Sequence, residues 1–178
     1  MKRLLSALTV LVSLCAGALA GAAPATAGVL DVTCTPPSSN LNSYTPPLTG
    51  TTRTVTVSTT ALYGPCTSLS QPAITSGSRT ASFTITASCL DLLDPGTVTY
   101  TITWNTGQSS TITSSYTSAV AGAVLTVVAT GTVTSGLFAG DSVVTNFTGP
   151  ATDITLCTLG LGSVSSVYTL GTLEITSV

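Results

Sequence analysis

The sequence predicts an all-β chain folded as a two-sheet antiparallel β-sandwich, Ig-like in general architecture, with about eight strands. Three observations predict it. Apolar residues alternate with Thr and Ser at a period of two, as in half-buried strands. Gly, Asn and Ser clusters punctuate those segments at short intervals. About a third of the 178 residues are Thr or Ser, and Thr suits an exposed strand face because it is both β-branched and polar.

Taken in order, the first element is an address. Lys2-Arg3 form a basic start, Leu4 to Leu14 an apolar run interrupted by Ser6, Thr9 and Ser13, and Ala25-Thr26-Ala27 an A-x-A cleavage site. A membrane anchor needs about 20 apolar residues, and Gly17, Gly21 and Pro24 weaken such a helix here. The expectation is a secretory signal peptide, 1–27. It leaves a single extracellular domain, 28–178, with no membrane attachment after cleavage.

The strand candidates follow. Leu30 to Thr35 comes first, then Pro36 to Gly50, read as a long loop because it carries Pro36, Pro37, Pro46 and Pro47. Arg53 to Thr60 is the second strand. In Arg79 to Leu90, Ala81, Phe83, Ile85, Ala87 and Cys89 share one face. Gly96 to Trp104 places Val98, Tyr100, Ile102 and Trp104 on one face, so Trp104 is expected in the core. Asn105-Thr106-Gly107 reads as a hairpin turn into Gln108 to Thr117. Gly122 to Thr134, Asp141 to Thr148 and Thr172 to Ser177 complete the set. The stretch Gly149 to Val167 is Gly- and Ser-rich and reads as irregular with room for one helical turn.

Cleavage would leave four cysteines, Cys34, Cys66, Cys89 and Cys157, an even number in an exported chain and hence two disulfides. Three pairings are open; the one favoured joins Cys34 to Cys66 and Cys89 to Cys157. Each bridge closes a long loop, worth roughly 3–4 kcal/mol. Wide cysteine spacing and the absence of His give no support for a metal site, and no cofactor is expected.

Charge narrows the function. Arg53 and Arg79 stand against five Asp and Glu174 in 28–178, a net charge of −4, so no nucleic-acid partner is expected. Gly140-Asp141-Ser142 looks like a hydrolase serine triplet, but a serine nucleophile needs a base, and neither His nor a Lys of the mature chain is there to serve. Asp91 and Asp94 are read as turn-forming caps before a Ca²⁺ site or a glycosidase carboxylate pair. Recurrent Thr-x-Thr pairs, such as Thr97-Val-Thr99 and Thr101-Ile-Thr103, fall at irregular intervals, which disfavours a regular ice-binding array.

The leader, the four cysteines, the Trp104-Asn-Thr-Gly107 turn and the segment Gly131-Thr-Val-Thr-Ser-Gly-Leu-Phe-Ala-Gly140 together resemble small secreted all-β, disulfide-containing proteins of actinobacteria. That resemblance implies a fold and an address, and carries no functional residues. The expected function is therefore a secreted, non-enzymatic protein with a binding or structural role at the cell exterior, its partner an unknown protein, glycan or cell-wall component. The alternatives are a protease inhibitor presenting the Tyr63-Gly64-Pro65-Cys66 loop, and a carboxylate-dependent glycan hydrolase. The candidate binding residues are Tyr44 and Tyr63, which a Cys34–Cys66 bridge would bring to one end of a sandwich; the competing reading folds both tyrosines onto the core edge.

Overall fold

Alternation becomes strand along most of the chain. The computed structural model describes residues 30–178, and the expected leader, 1–27, lies outside the described residues. Among the described residues ten strands form: β1 (Leu30–Cys34), β2 (Ser39–Leu48), β3 (Arg53–Tyr63), β4 (Cys66–Thr67), β5 (Gly77–Ala87), β6 (Gly96–Trp104), β7 (Ser109–Ala121), β8 (Val124–Gly136), β9 (Ser142–Pro150) and β10 (Val164–Thr176). A 3-10 turn, Leu90–Leu93, joins β5 to β6, and α1 (Thr152–Thr158) precedes β10.

The architecture corrects the sandwich. All pairings are antiparallel, in the order β2-β3-β5-β6-β7-β8-β9-β10, and β10 pairs back onto β2. The result is a closed eight-strand barrel rather than two stacked sheets. The distal half of β10 pairs with β1, and β1 with β4, so these two short strands flank one end of the wall. Closure depends on close backbone approaches on the inner face. A Cβ on Gly171 would collide with the Asn146 carbonyl, and one on Gly131 with the Thr113 carbonyl, so the strands coil there as a side chain would forbid.

The expected loop from Pro36 to Gly50 is mostly strand. Pro46 and Pro47 lie beyond Thr45, the last β2 residue in register with β3, and inside an irregularity where Leu48 and Ser43 oppose Val164 and Ser166. No ladder hydrogen bond is asked of them there, which is why a strand tolerates them.

An eight-strand barrel is just wide enough for side chains to fill it. Here they form two apolar clusters. One holds Val32, Ile102, Trp104, Ile112, Leu173 and Ile175 with Cys34 and Cys66; the other holds Leu48, Val55, Leu125, Ile154 and Val164 with Cys89 and Cys157. Each contains a disulfide: Cys34–Cys66 at one end and Cys89–Cys157 at the other, the latter tying α1 to the strand of β5 just past its end. Polar residues separate the clusters. Thr59, Ser114 and Thr169 are buried, and Thr59 Oγ1 donates to Asn42 Oδ1 at 2.7 Å. Trp104 is 2% exposed, as its parity predicts. Its Nε1 donates to Ser110 Oγ at 2.9 Å, and Ser110 Oγ donates to the Leu137 carbonyl at 2.7 Å, so the one polar atom of the indole is satisfied inside the core.

Candidate binding seam

The wall has one weak join. β3 and β5 share eleven paired residues and β6 and β7 share eight, whereas β5 and β6 share two, Gly77 with Trp104 and Ser78 with Thr103. From that vertex the strands diverge, and the connection through the Leu90–Leu93 turn spans the wide end. Gly77 makes the vertex possible: a Cβ there would lie 2.8 Å from both Ile102 Cγ2 and Trp104 Cε3. The edges of β5 beyond Ser78 and of β6 before Thr103 therefore face a wedge-shaped seam with no ladder partner across it among the described residues.

Parity shows what the seam uncovers. Ala81, Phe83 and Ile85 stand opposite Thr59, Val57 and Val55, which face inward, so all three belong to the inner face. In a sealed barrel they would be buried. Instead Phe83 is 48% and Ile85 37% exposed. On the other side Val98 and Tyr100 are half-buried. At the wide end, Leu92 and Leu93 of the 3-10 turn pack against the second cluster. The turn is held by Asp91, whose Oδ2 accepts from Ser88 N at 2.6 Å and Ser88 Oγ at 2.7 Å. The Ser88 side-chain bond, then its backbone bond, hold the Asp91 carboxyl below the usual carboxylate range.

Arg79 crosses the seam near the vertex. Its guanidinium lies 4.1 Å from the centroid of the Tyr100 ring. Nη2 donates to Asn40 Oδ1 at 3.5 Å, and Nε is buried with no hydrogen-bond partner among the described residues. Burial raises the Tyr100 phenol, an effect opposed first by the Arg79 charge and then by a hydrogen bond with Ser114.

The residues singled out from sequence fall elsewhere. Tyr44 and Tyr63 do not share a surface: both are buried, at 8% and 3% exposed, and they belong to different core clusters. Burial, with a smaller contribution from Tyr116, pushes the Tyr44 phenol up to about 12, and burial raises Tyr63 as well. They form no shared end-loop surface, because each points into the barrel from an inward strand position. The loop after Tyr63 is tied down, with Gly64 N donating to Ser38 Oγ at 2.9 Å and Cys66 N to the Thr75 carbonyl at 2.8 Å. Gly140-Asp141-Ser142 is a turn entering β9, and Ser142 Oγ donates to the Thr176 carbonyl at 3.2 Å.

Two features escaped the sequence. Asp141 lies against Asp31 of β1, a residue 110 positions away in the chain. Burial first, and next the hydrogen bond and charge of Asp31, hold the Asp141 carboxyl above its ordinary range. The second is the outer threonine face. Pairing register aligns Thr99 with Thr113 and Thr101 with Thr111, their hydroxyls 2.9 and 3.0 Å apart. Irregular intervals along the chain thus become a cross-strand row once β6 and β7 pair.

Comparison with protein-family models, with curated proteins and with solved structures finds no match for this chain.

Proposed function

We propose that this chain is an exported, non-catalytic binding protein of the cell exterior, and that its binding surface is the open β5–β6 seam. The observation that carries the reading is the exposure of Phe83 and Ile85, inner-face residues, between two strand edges that lack partners among the described residues. Exposed apolar side chains beside unpaired backbone are what a strand edge offers to another chain. Export is supported by the Lys2-to-Ala27 signal pattern and by the two disulfides, which suit an oxidising compartment. A water-facing barrel is supported by the outward Thr and Ser of β3, β6 and β7, where a bilayer-spanning barrel carries an apolar band.

The test is retention of medium-purified protein, wild type and Phe83→Ser, on cell wall, polysaccharides and secreted proteases. Retention of the wild type and its loss in Phe83→Ser supports the reading; retention that ignores Phe83 overturns the seam. A hydrolase screen on the same preparation addresses catalysis. Turnover abolished by Asp141→Asn would replace the binding reading with an enzyme built on the Asp31–Asp141 pair. N-terminal sequencing is expected to begin at Gly28, and recovery of full-length chain only in membranes would sink the export claim.

A further inference from the structure

Resting on the reading of the seam as a binding surface, we propose that its occupant is the C-terminal strand of a partner protein. This segment is extended, about eight residues long and apolar at alternate positions. It lies antiparallel to β5 with its terminal carboxylate at Arg79.

The wedge dictates the terminus. A strand laid into the seam crosses the Leu90–Leu93 connection at the wide end and meets the Gly77–Trp104 and Ser78–Thr103 pairs at the vertex, where β5 and β6 close on each other. It has no room to continue between them, so it ends there. β5 runs from the vertex to the wide end, and a segment ending at the vertex therefore runs antiparallel to it, the sense in which β5 already pairs with β3.

Side chains set the pattern. The inward positions Ala81, Phe83 and Ile85 recur every second residue and meet apolar residues placed at the same interval on the incoming strand. Thr80, Ser82, Thr84 and Thr86 face outward and ask only for polar neighbours. From Arg79 to Ala87 the edge extends roughly 27 Å at 3.3–3.4 Å per residue, which sets the length. The edge carries no Lys, Pro or bulge to repel a strand between Thr80 and Ala87.

Charge fixes the ends. Arg79 at the vertex is a cation beside neutral groups, an aromatic ring and an amide oxygen at 3.5 Å, and its buried Nε has no partner among the described residues. A carboxylate supplies the charged acceptor that guanidinium lacks. The wide end carries Asp91 and Asp94, both exposed, so a basic residue at the start of the segment matches the opposite end. This polarity, acidic at entry and basic at the stop, selects a chain terminus over an internal loop.

The probe is a nine-residue peptide, Lys-Thr-Val-Thr-Val-Thr-Phe-Thr-Val, with a free C-terminal carboxylate. It is compared by calorimetry with its C-terminal amide and with a scrambled peptide that breaks the alternation. The disulfide-intact protein is expected to bind the carboxylate form at least about tenfold more tightly than the amide, and the scrambled form not at all. Arg79→Gln should reduce the carboxylate form to the affinity of the amide, and Phe83→Ser should weaken both. The carboxylate-versus-amide comparison uses wild type alone, so a poorly folding Arg79 variant does not blunt the test. Equal binding of carboxylate and amide overturns the terminal-strand proposal, and so does no binding of either. If Phe83-dependent retention on a partner persists in that case, the seam stands and only its occupant is wrong. Dimerisation abolished by Phe83→Ser, with no peptide bound, would name a second copy as occupant and overturn the proposal; loss of every Phe83 dependence would take the functional reading down with it.

Discussion

Trp104 and Asp141 show how single side chains are placed by different kinds of information. Trp104 shares parity with Ile102, and the turn that follows it is closed by Gly107 N donating to the Trp104 carbonyl at 2.9 Å, so its inward direction was readable from local sequence. Trp104→Ala should cost about 3–5 kcal/mol, measured by denaturant unfolding. Loss of under about 1 kcal/mol would mean that the indole is not packed as described. Asp141 was not readable, because its neighbour Asp31 is brought to it only by the pairing of β1 and β9 onto β10. Its carboxyl is raised in the folded state, so above the ordinary carboxylate range ionisation favours the unfolded chain and the native state carries a penalty. That penalty disappears as pH falls below the ordinary range, where both states hold the proton. Asp141→Asn should therefore raise the melting temperature more at pH 7 than at pH 3, by a small amount because solvent screens a carboxylate this exposed. An equal gain at both pH values, or a loss, would contradict the coupling to Asp31.

At the scale of elements, the disulfides and the prolines carry the lessons. Cys34–Cys66 lies in one apolar cluster and Cys89–Cys157 in the other, spanning 32 and 68 residues. In the chain-entropy account each is worth roughly 4 kcal/mol. Cys34→Ser with Cys66→Ser should lower stability by about that amount while near-ultraviolet circular dichroism stays native, because the rest of the barrel remains hydrogen-bonded; native protein should show no reactive thiol. Two or more free thiols would remove the staples from the account. Pro46 and Pro47 signal a break in a ladder and say nothing about the paired residues before them, so β2 is not legible as a strand from its prolines. For β5 the alternation of Ala81, Phe83 and Ile85 was legible. What covers that face was not, because period two marks a strand's two faces and is silent about whether a neighbour occupies its second edge.

For the whole molecule, sandwich and barrel draw on the same local signals: alternation, short turns and Thr-rich outer faces. They differ in whether β10 returns to β2, and that pairing joins residues more than 110 positions apart, such as Asn40 and Thr169. A trace of it does lie in the sequence. Gly131, Gly149 and Gly171 interrupt strands at inward positions where their neighbours are apolar or β-branched, as tight coiling in a small barrel requires. Gly171→Val should accordingly prevent folding, since the added side chain starts inside the Asn146 carbonyl. Joined between β5 and β6 by two residue pairs, the barrel should also be unevenly protected. Amide hydrogen exchange resolved by residue tests this most directly. The account predicts slow exchange in the β7–β8 and β8–β9 ladders and, within β5 and β6, fast exchange of those amides in 80–87 and 96–102 that face the seam. Uniform slow exchange across β5 and β6 would show that the seam is closed, and the binding surface proposed on it would not exist.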